Sequence, residues 1–234
     1  MQMPKKIQIL LTISIVVLTL SAYAQKEENS GWIFLSHTQQ ITEKIKLQTD
    51  IQGRSSDRYQ YWSNLLMRGA VSYGVSENGD AGLGYAYLGS WEDEDGGKVY
   101  SREHRIFEQY QHQLKFNRKI LSLRGRLEQR FTKDEDIKFS QRLRAYASMQ
   151  APLIANKDFS RGLYLKLQDE IFFNVQHKEN VNSSFFDQHR PYLALGYRIS
   201  EHIDVELGYI RLTQKEYTGT VRRNIAQFMI TTSL

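Results

Sequence analysis

Residues 121–131 read Leu-Ser-Leu-Arg-Gly-Arg-Leu-Glu-Gln-Arg-Phe. Apart from Gln129, the odd positions hold leucine, glycine or phenylalanine, whereas the even positions hold serine, arginine or glutamate. Because successive side chains of a β-strand point to opposite faces, this stretch predicts a strand with one apolar face and one charged face. A strand of about 11 residues, tilted by about 40°, spans close to the apolar band of an outer membrane, about 25 Å.

The same two-residue alternation recurs along the chain, and helical periodicity is almost absent. Eleven segments carry the alternation: 32–40, 45–53, 61–75, 81–89, 103–116, 120–131, 138–150, 161–173, 189–199, 203–214 and 223–234. Polar connections at 54–60, 90–102, 132–137, 174–188 and 215–222 alternate with mostly shorter ones at 41–44, 76–80, 117–119, 151–160 and 200–202. This order predicts an all-β fold, an antiparallel up-and-down transmembrane β-barrel of 10–12 strands with its longer loops at one end.

The strand number is open at this point. Bacterial single-chain barrels have an even number of strands, but the eleven candidates place the start of the first strand at the loop end. Either segment 32–40 lies outside the wall, which gives ten strands, or one further strand escapes the pattern, which gives twelve.

The overall composition agrees with strands rather than membrane helices. The 234 residues have a mean hydropathy of -0.53 and are 41% hydrophobic, which excludes a bundle of long apolar helices. The formal net charge is +5, and the basic residues are scattered without a run of four, so nucleic acid is not an expected partner. With no cysteine, the chain has neither a disulfide framework nor a thiolate metal site.

The N-terminal segment has the three parts of a secretory signal. Lys5 and Lys6 precede an apolar stretch at 7–20, and Ala22-Tyr23-Ala24 follows it. We expect residues 1–24 to be a cleaved signal peptide, because the apolar stretch is short for a membrane-spanning helix and a small-residue site follows it. Residues 25–234 then form one outer-membrane β-barrel domain.

The charged face predicts a polar barrel interior. Arg124, Arg126, Glu128 and Arg130 are consecutive on one face, and charges of both signs in a narrow lumen pair across strands. The predicted lumen charge network comprises Arg68, Arg124, Arg126, Glu128, Arg130, Arg142, Arg144, Glu170, Arg190, Arg198, Asp204 and Glu206. We expect side chains to fill a lumen of this size. A small anion-preferring pore is the alternative, and the arginines are also candidates for contacts with lipopolysaccharide phosphates.

A soluble ligand-binding barrel would reverse the two faces. The distinction rests on outward positions such as Leu121, Leu123, Leu127, Phe139 and Leu143, which a soluble barrel would bury and a membrane barrel would expose.

No catalytic residue, cofactor or metal site is assigned. The alternative to a non-enzymatic barrel is a lipid-modifying enzyme that uses a serine and a histidine, which lie close together at two strand edges. The two groupings are Ser101 with Glu103 and His104, and Ser183 and Ser184 with Asp187 and His189. The histidines lack metal-ligand spacing. Gly82, Gly84, Gly196 and Gly208 lie within strands and precede no helix, so they predict relief of crowding or strand bending and not a nucleotide-binding loop.

Several ordered fragments resemble one known family. They are Trp32, Asn64-Leu65-Leu66-Met67-Arg68 with Tyr73, Gly82-Leu83-Gly84-Tyr85, Glu103-His104-Arg105 with Glu108-Gln109, Arg126 to Phe131, Arg142-Leu143-Arg144, Phe185 to Arg190, and Glu206-Leu207-Gly208-Tyr209. In order and spacing they resemble the Gram-negative outer-membrane barrels called domain of unknown function 2490.

The resemblance implies a location in the cell outer membrane, with a structural, transport-related or surface-interaction role and no established activity. The expected partners are outer-membrane lipid and lipopolysaccharide, and the barrel-insertion machinery during biogenesis.

Overall fold

The computed structural model describes residues 26–94, 97–133 and 136–234, so the predicted signal peptide lies outside the described residues. The strands are β1 (Lys26–Gln40), β2 (Ile45–Ser55), β3 (Trp62–Ser76), β4 (Gly79–Glu94), β5 (Gly97–Phe116), β6 (Lys119–Lys133), β7 (Ile137–Ala155), β8 (Gly162–Gln176), β9 (Phe186–His189), β10 (Tyr192–Ser200), β11 (Ile203–Glu216) and β12 (Gly219–Ser233). Two short 3-10 turns, Asp57–Tyr59 and Lys178–Asn180, lie between strands. In the described ranges, no helix has the length and hydropathy needed to cross a membrane.

The strands form a closed barrel with eleven wall positions among the described residues. Both β9 and β10 pair with β8 on one side and β11 on the other, so these two short strands share one position. Pro191 separates them, because proline has no N–H to donate to the ladder. The eleven segments predicted from the sequence therefore correspond to eleven wall positions.

The barrel closes through a parallel pair, which corrects the expectation of an all-antiparallel wall with ten or twelve strands. β1 runs parallel to β12, with Trp32 opposite Gln227 and Thr38 opposite Ser233. An odd number of up-and-down strands leaves the first and last strands pointing the same way, so only a parallel pair can close the wall. Segment 32–40 belongs to that wall and starts earlier than its apolar alternation shows, at Lys26.

Three of the five predicted long loops are strands instead. Within the predicted loop 90–102, β4 and β5 pair with each other: Trp91 pairs with Tyr100 and Asp93 pairs with Lys98. The predicted loops 132–137 and 215–222 are likewise shortened by the ends of β6, β7, β11 and β12. These stretches are rich in charged residues and glycine, so they carry no regular apolar alternation, although the backbone of their described residues pairs. In the part of the chain that the structure describes, 56–61 and 177–185 are the long connections at that end.

The barrel has two ends, which we call the loop rim and the C-terminal rim. The loop rim holds the connections β2 to β3, β4 to β5, β6 to β7, β8 to β9 and β11 to β12. The C-terminal rim holds the other turns and Leu234, whose backbone N–H donates to the Thr38 carbonyl at 3.0 Å.

The outward face of every wall position carries an exposed, large apolar side chain. Leu123 and Leu143 are 41% and 42% exposed, and Leu121, Leu127 and Phe139 are partly exposed. One such side chain per position, each at least 40% exposed, is Ile33, Ile51, Val71, Leu83, Ile106, Leu123, Leu143, Leu167, Leu193, Leu207 and Phe228. We call this set the apolar belt.

Inward glycines make room for aromatic rings from the neighbouring strand. A Cβ added at Gly196 would overlap the ring of Tyr164, and one added at Gly84 would overlap the ring of Phe107. The rings of Tyr164 and Phe107 are almost fully buried. The predicted role of these glycines in relieving crowding is therefore confirmed at both positions.

Candidate functional site in the barrel interior

The structure places all twelve residues of the predicted charge network on the inner face of the wall. The reason is the parity of the strands: inward positions are even on β6, β7, β8 and β11, and the network residues of those strands all have even numbers. The interior has two parts, an ion-paired layer toward the loop rim and a cavity toward the C-terminal rim.

Glu128 on β6 is the centre of the ion-paired layer. Its carboxylate accepts hydrogen bonds from Arg142 Nη2 at 2.7 Å and from Arg144 Nη1 at 2.6 Å. Only 1% of its surface is exposed. A buried carboxylate is costly unless its oxygens are paired, and here two arginines of the adjacent strand β7 pair with both oxygens.

Asp187 on β9 extends this layer beyond β6 and β7. Arg142 Nη1 donates to Asp187 Oδ2 at 2.8 Å, while Nη2 of the same guanidinium donates to Glu128. Asp187 faces inward because the register of β8 against β9 shifts at this point, between Phe172 and Phe173. The sequence pattern missed Asp187 as a lumen residue, since a bulge breaks the two-residue period.

The connection 177–185 lies over the ion-paired layer at the loop rim. Asn182 is buried there and donates from Nδ2 to Asp187 Oδ1 at 2.9 Å and to the Lys215 carbonyl at 3.0 Å. Asn180 Nδ2 donates to the Phe139 carbonyl on β7 at 2.8 Å. The connection thus contacts the wall on both sides of its own strands, at β7 and β11.

Glu103 on β5 forms a second ion-paired group. It is buried and accepts hydrogen bonds from both Arg105 and Arg130. Arg105 was absent from the predicted network, although Glu103 and Arg105 share one face of a strand by their spacing. Because they are two positions apart on β5, they lie on the same face, and this spacing could have identified both as interior residues.

An aromatic ring separates the two parts of the interior. Phe172 on β8 is fully buried, and three guanidinium groups lie over its ring. The distances from the guanidinium carbon to the ring centroid are 5.1 Å for Arg142, 4.5 Å for Arg144 and 4.4 Å for Arg190. Cations are attracted to the face of an aromatic ring, so Phe172 stabilises this concentration of positive charge.

The remaining carboxylates of the interior also have partners. Glu170 accepts from Arg144 Nη2 at 2.7 Å and from Arg124 Nη2 at 2.9 Å. Arg68 donates to Asp50, and Arg198 donates to Asp204. Glu206 accepts from Lys166 Nζ at 2.9 Å, and also from the hydroxyl groups of Tyr164 and Tyr192.

Toward the C-terminal rim the interior encloses a cavity of about 430 Å³. Its inner end is lined by Trp32, Arg54, Arg126 and Arg190, and its lining continues to Thr38 and other residues near the rim. The cavity does not reach the ion-paired layer at Glu103 and Arg142. One end of the lumen is therefore filled by side chains and the other is hollow.

The serine, histidine and acid groupings considered for catalysis do not assemble. Glu103 points inward to its arginines, whereas His104 points outward and contacts the Tyr85 hydroxyl at 2.6 Å through Nδ1. At the second grouping, Asp187 is bound to Arg142 inside the barrel, whereas His189 faces outward with Nε2 at 2.8 Å from Asp169 Oδ1. Residues adjacent in a strand lie on opposite faces, which separates the members of the first grouping.

Across the described ranges, no group of three or more His, Asp or Glu side chains has an arrangement that would hold a metal ion. The carboxylates of the ion-paired layer are already paired with arginines of the wall.

The geometry defines a class: a closed all-β barrel with an exposed apolar belt and a charged, partly hollow interior. A family model described as "Protein of unknown function (DUF2490)" matches residues 29–223, and the chain belongs to this family. Neither the curated proteins nor the solved structures gave a match.

Proposed function

We propose that this protein is an outer-membrane β-barrel whose wall spans the bilayer, with a structural, transport-related or surface-interaction role and no pore through its lumen. The observation that carries the proposal is the apolar belt. A soluble protein seldom exposes a contiguous apolar surface of more than a few hundred Å², whereas a membrane barrel needs such a surface around its whole circumference.

Aromatic side chains on the outer face support the same proposal. Tyr87, His104, Phe131 and Phe139 are direct neighbours across β4, β5, β6 and β7. The rings of Phe131 and Phe139 lie 5.3 Å apart. Tyr73 and Tyr197 are exposed toward the opposite rim. Aromatic side chains at both ends of the belt match the interfacial girdles of outer-membrane barrels.

Two pairs of polar residues on the outer face are bonded to each other. Gln129 Nε2 donates to Glu108 Oε2 at 3.0 Å, and His189 contacts Asp169. Pairing lowers the cost of placing these groups against lipid, so they are compatible with the proposal.

The ion-paired layer argues for a closed lumen. Glu128, Arg142 and Asp187 bridge β6, β7 and β9 by hydrogen bonds, and all three are buried. We expect no steady conductance in planar lipid bilayers from the protein or from an Arg124→Ala/Arg130→Ala variant. A stable conductance of the unmodified protein would support the anion-preferring pore instead.

The location is tested by fractionation of cells that express the full chain. We expect the protein in the outer membrane, extracted only by detergent, with a folded form that migrates differently on a gel before and after heating. Recovery as a soluble monomer without detergent would overturn the proposal.

A pair of arginine substitutions on β7 sharpens this test. Leu143 lies in the belt and Ile154 lies near the C-terminal rim, and both side chains are exposed. Arginine at the bilayer midplane costs about 2–4 kcal/mol, and near the interface about 0–1 kcal/mol. We therefore expect Leu143→Arg to reduce the folded, membrane-inserted fraction strongly and Ile154→Arg to leave it nearly unchanged. Equal effects of the two substitutions would contradict a membrane-spanning wall.

A further inference from the structure

The cavity of the barrel interior has the size of a small-molecule site. Its volume is about 430 Å³, and ligand pockets commonly measure about 300–1,000 Å³. It is lined mainly by polar side chains. Three arginines line its inner end: Arg54 and Arg190 lie over the indole of Trp32, and Arg126 lies over the ring of Phe107.

Buried arginine atoms at this inner end lack hydrogen-bond partners among the described residues. They are Arg126 Nη1, Arg124 Nε and Arg190 Nε, and all three arginines line the cavity. Arg126 is only 5% exposed. Its Nη1 lies 3.8 Å from Glu128 Oε1, which is too far for a hydrogen bond. A buried, charged donor without an acceptor is costly, so these atoms require an acceptor that the wall does not provide.

Arg124 donates to Glu170, but the hydrogen bonds of the other three arginines at the inner end go to neutral acceptors. Arg54 donates to the amide oxygen of Gln52, Arg126 to that of Gln109 and Arg190 to that of Gln188. Amide oxygens accept hydrogen bonds but do not neutralise charge. Among the described residues, neither Arg54 nor Arg190 has an ion-pair partner, and the one partner of Arg126, Glu128 Oε1, is closer to Arg144. The three guanidinium groups therefore keep a surplus of positive charge at this end.

Two of these guanidinium groups lie close to the same aromatic ring, that of Trp32. The guanidinium carbons of Arg54 and Arg190 lie 4.2 Å and 5.5 Å from the Trp32 ring centroid. Two cations on one ring repel each other unless an anion lies nearby. The four carboxylates that line the cavity are already paired: Asp50 with Arg68, Glu170 with Arg124 and Arg144, Asp204 with Arg198, and Glu206 with Lys166.

We infer that the inner end of this cavity binds the phosphate or carboxylate group of a small molecule that enters from the C-terminal rim. The planar fork of a guanidinium matches the oxygens of both groups. A bound oxyanion would accept hydrogen bonds from the unpartnered arginine atoms and neutralise the surplus charge. This binding site goes beyond the proposed membrane role, and it requires only the folded barrel.

Trp32 provides a direct readout of binding. The chain has three tryptophans, so a Trp62→Phe/Trp91→Phe background leaves Trp32 as the only one. We would titrate the purified, folded protein in detergent micelles with inorganic phosphate, and separately with acetate, while sodium chloride keeps the ionic strength constant. We expect a saturable change in Trp32 fluorescence with at least one of the two anions. The anion with the lower Kd shows whether the site prefers a phosphate or a carboxylate group.

Three variants in this background test the assigned arginines. We expect Arg126→Gln and Arg190→Gln each to raise the Kd by about tenfold or more, since a hydrogen bond to a charged group contributes about 1.5–3 kcal/mol. Arg161→Gln is the matched control, because it removes the same charge from an exposed position at the C-terminal rim that does not line the cavity. Its Kd should equal that of the background protein.

The outcome separates this inference from the membrane proposal. No saturable change with phosphate or acetate, or the same Kd in all variants, would overturn the site. Heat-dependent gel migration checks that each variant is folded, and Arg126→Lys, which keeps the charge but loses the fork, replaces Arg126→Gln if the latter fails to fold. Fractionation alone decides the membrane location, so failure of one proposal leaves the other standing.

Discussion

In the ion-paired layer, Arg142 and Arg144 both donate to Glu128, and each has a second carboxylate partner. In the cavity, by contrast, the side chains of Arg54 and Arg190 donate to amide oxygens among the described residues. Both regions are built from inward arginines, and they differ in the supply of carboxylates.

That difference separates two uses of the same side chain. Where carboxylates balance the guanidinium groups, the arginines fill the lumen and connect the strands across it. Where amides replace carboxylates, charge and donors remain unsatisfied and space remains open. An arginine-rich lumen is therefore not one functional unit, and its two halves should respond differently to substitution.

The largest effect is expected at Glu128. A Glu128→Gln substitution removes the carboxylate that Arg142 and Arg144 share and leaves each with one buried counter-charge, Asp187 or Glu170. Removing one partner of a buried ion pair typically costs about 3–5 kcal/mol. Unfolding by guanidinium chloride, followed by tryptophan fluorescence, measures the change in free energy. Glu108→Gln is the control, since Glu108 is exposed on the outer face and bonded only to Gln129 in the described contacts. A loss of less than about 1 kcal/mol at Glu128 would contradict its central role.

A smaller loss is expected at an inward glycine. Gly196→Ala forces the added methyl group against the buried Tyr164 ring, and overpacking of this kind costs about 1–3 kcal/mol. Gly125→Ala is the matched substitution, because a Cβ at Gly125 meets nothing within 4 Å. It should leave stability unchanged or slightly raised by restricting the unfolded chain. Equal stability of the two variants in the same unfolding experiment would show that the ring can move away at no cost.

The smallest loss is expected at Arg190, and it compares the two halves of the interior directly. Arg142 and Arg190 both lie over Phe172, but only Arg142 bridges two carboxylates. Arg190→Gln should cost less than about 1 kcal/mol, the scale of a lost cation–π contact, whereas Arg142→Gln should cost about 3–5 kcal/mol. Similar unfolding free energies for the two variants would remove the distinction between the halves.

Much of this architecture could be predicted because the inner and outer faces alternate strictly. The period of two placed Arg124, Arg126 and Glu128 on one face, and the structure has them side by side on the inner wall. The alternation also gave eleven segments, since a half-buried strand repeats its pattern wherever one side meets an apolar environment.

Other features left no such pattern. The ends of β4 and β5 carry charged residues and glycine between Trp91 and Tyr100, so this stretch resembled a loop although its described residues pair. Asp187 lies at a bulge, which turns it inward against the local period. The parallel closure of β1 on β12 depends on the parity of the whole barrel, and local sequence carries no signal of it.

The position of the apolar belt is tested most directly by spin labels along β7. The chain contains no cysteine, so single cysteines at Leu143, Ala145, Ala147 and Met149, and at Ser148 inside the barrel, can each be labelled without background. In protein reconstituted into lipid vesicles, we predict that the four outward labels collide readily with oxygen and rarely with a water-soluble nickel complex. High accessibility of those labels to the nickel complex would show that the belt faces water and would contradict a wall that spans the membrane.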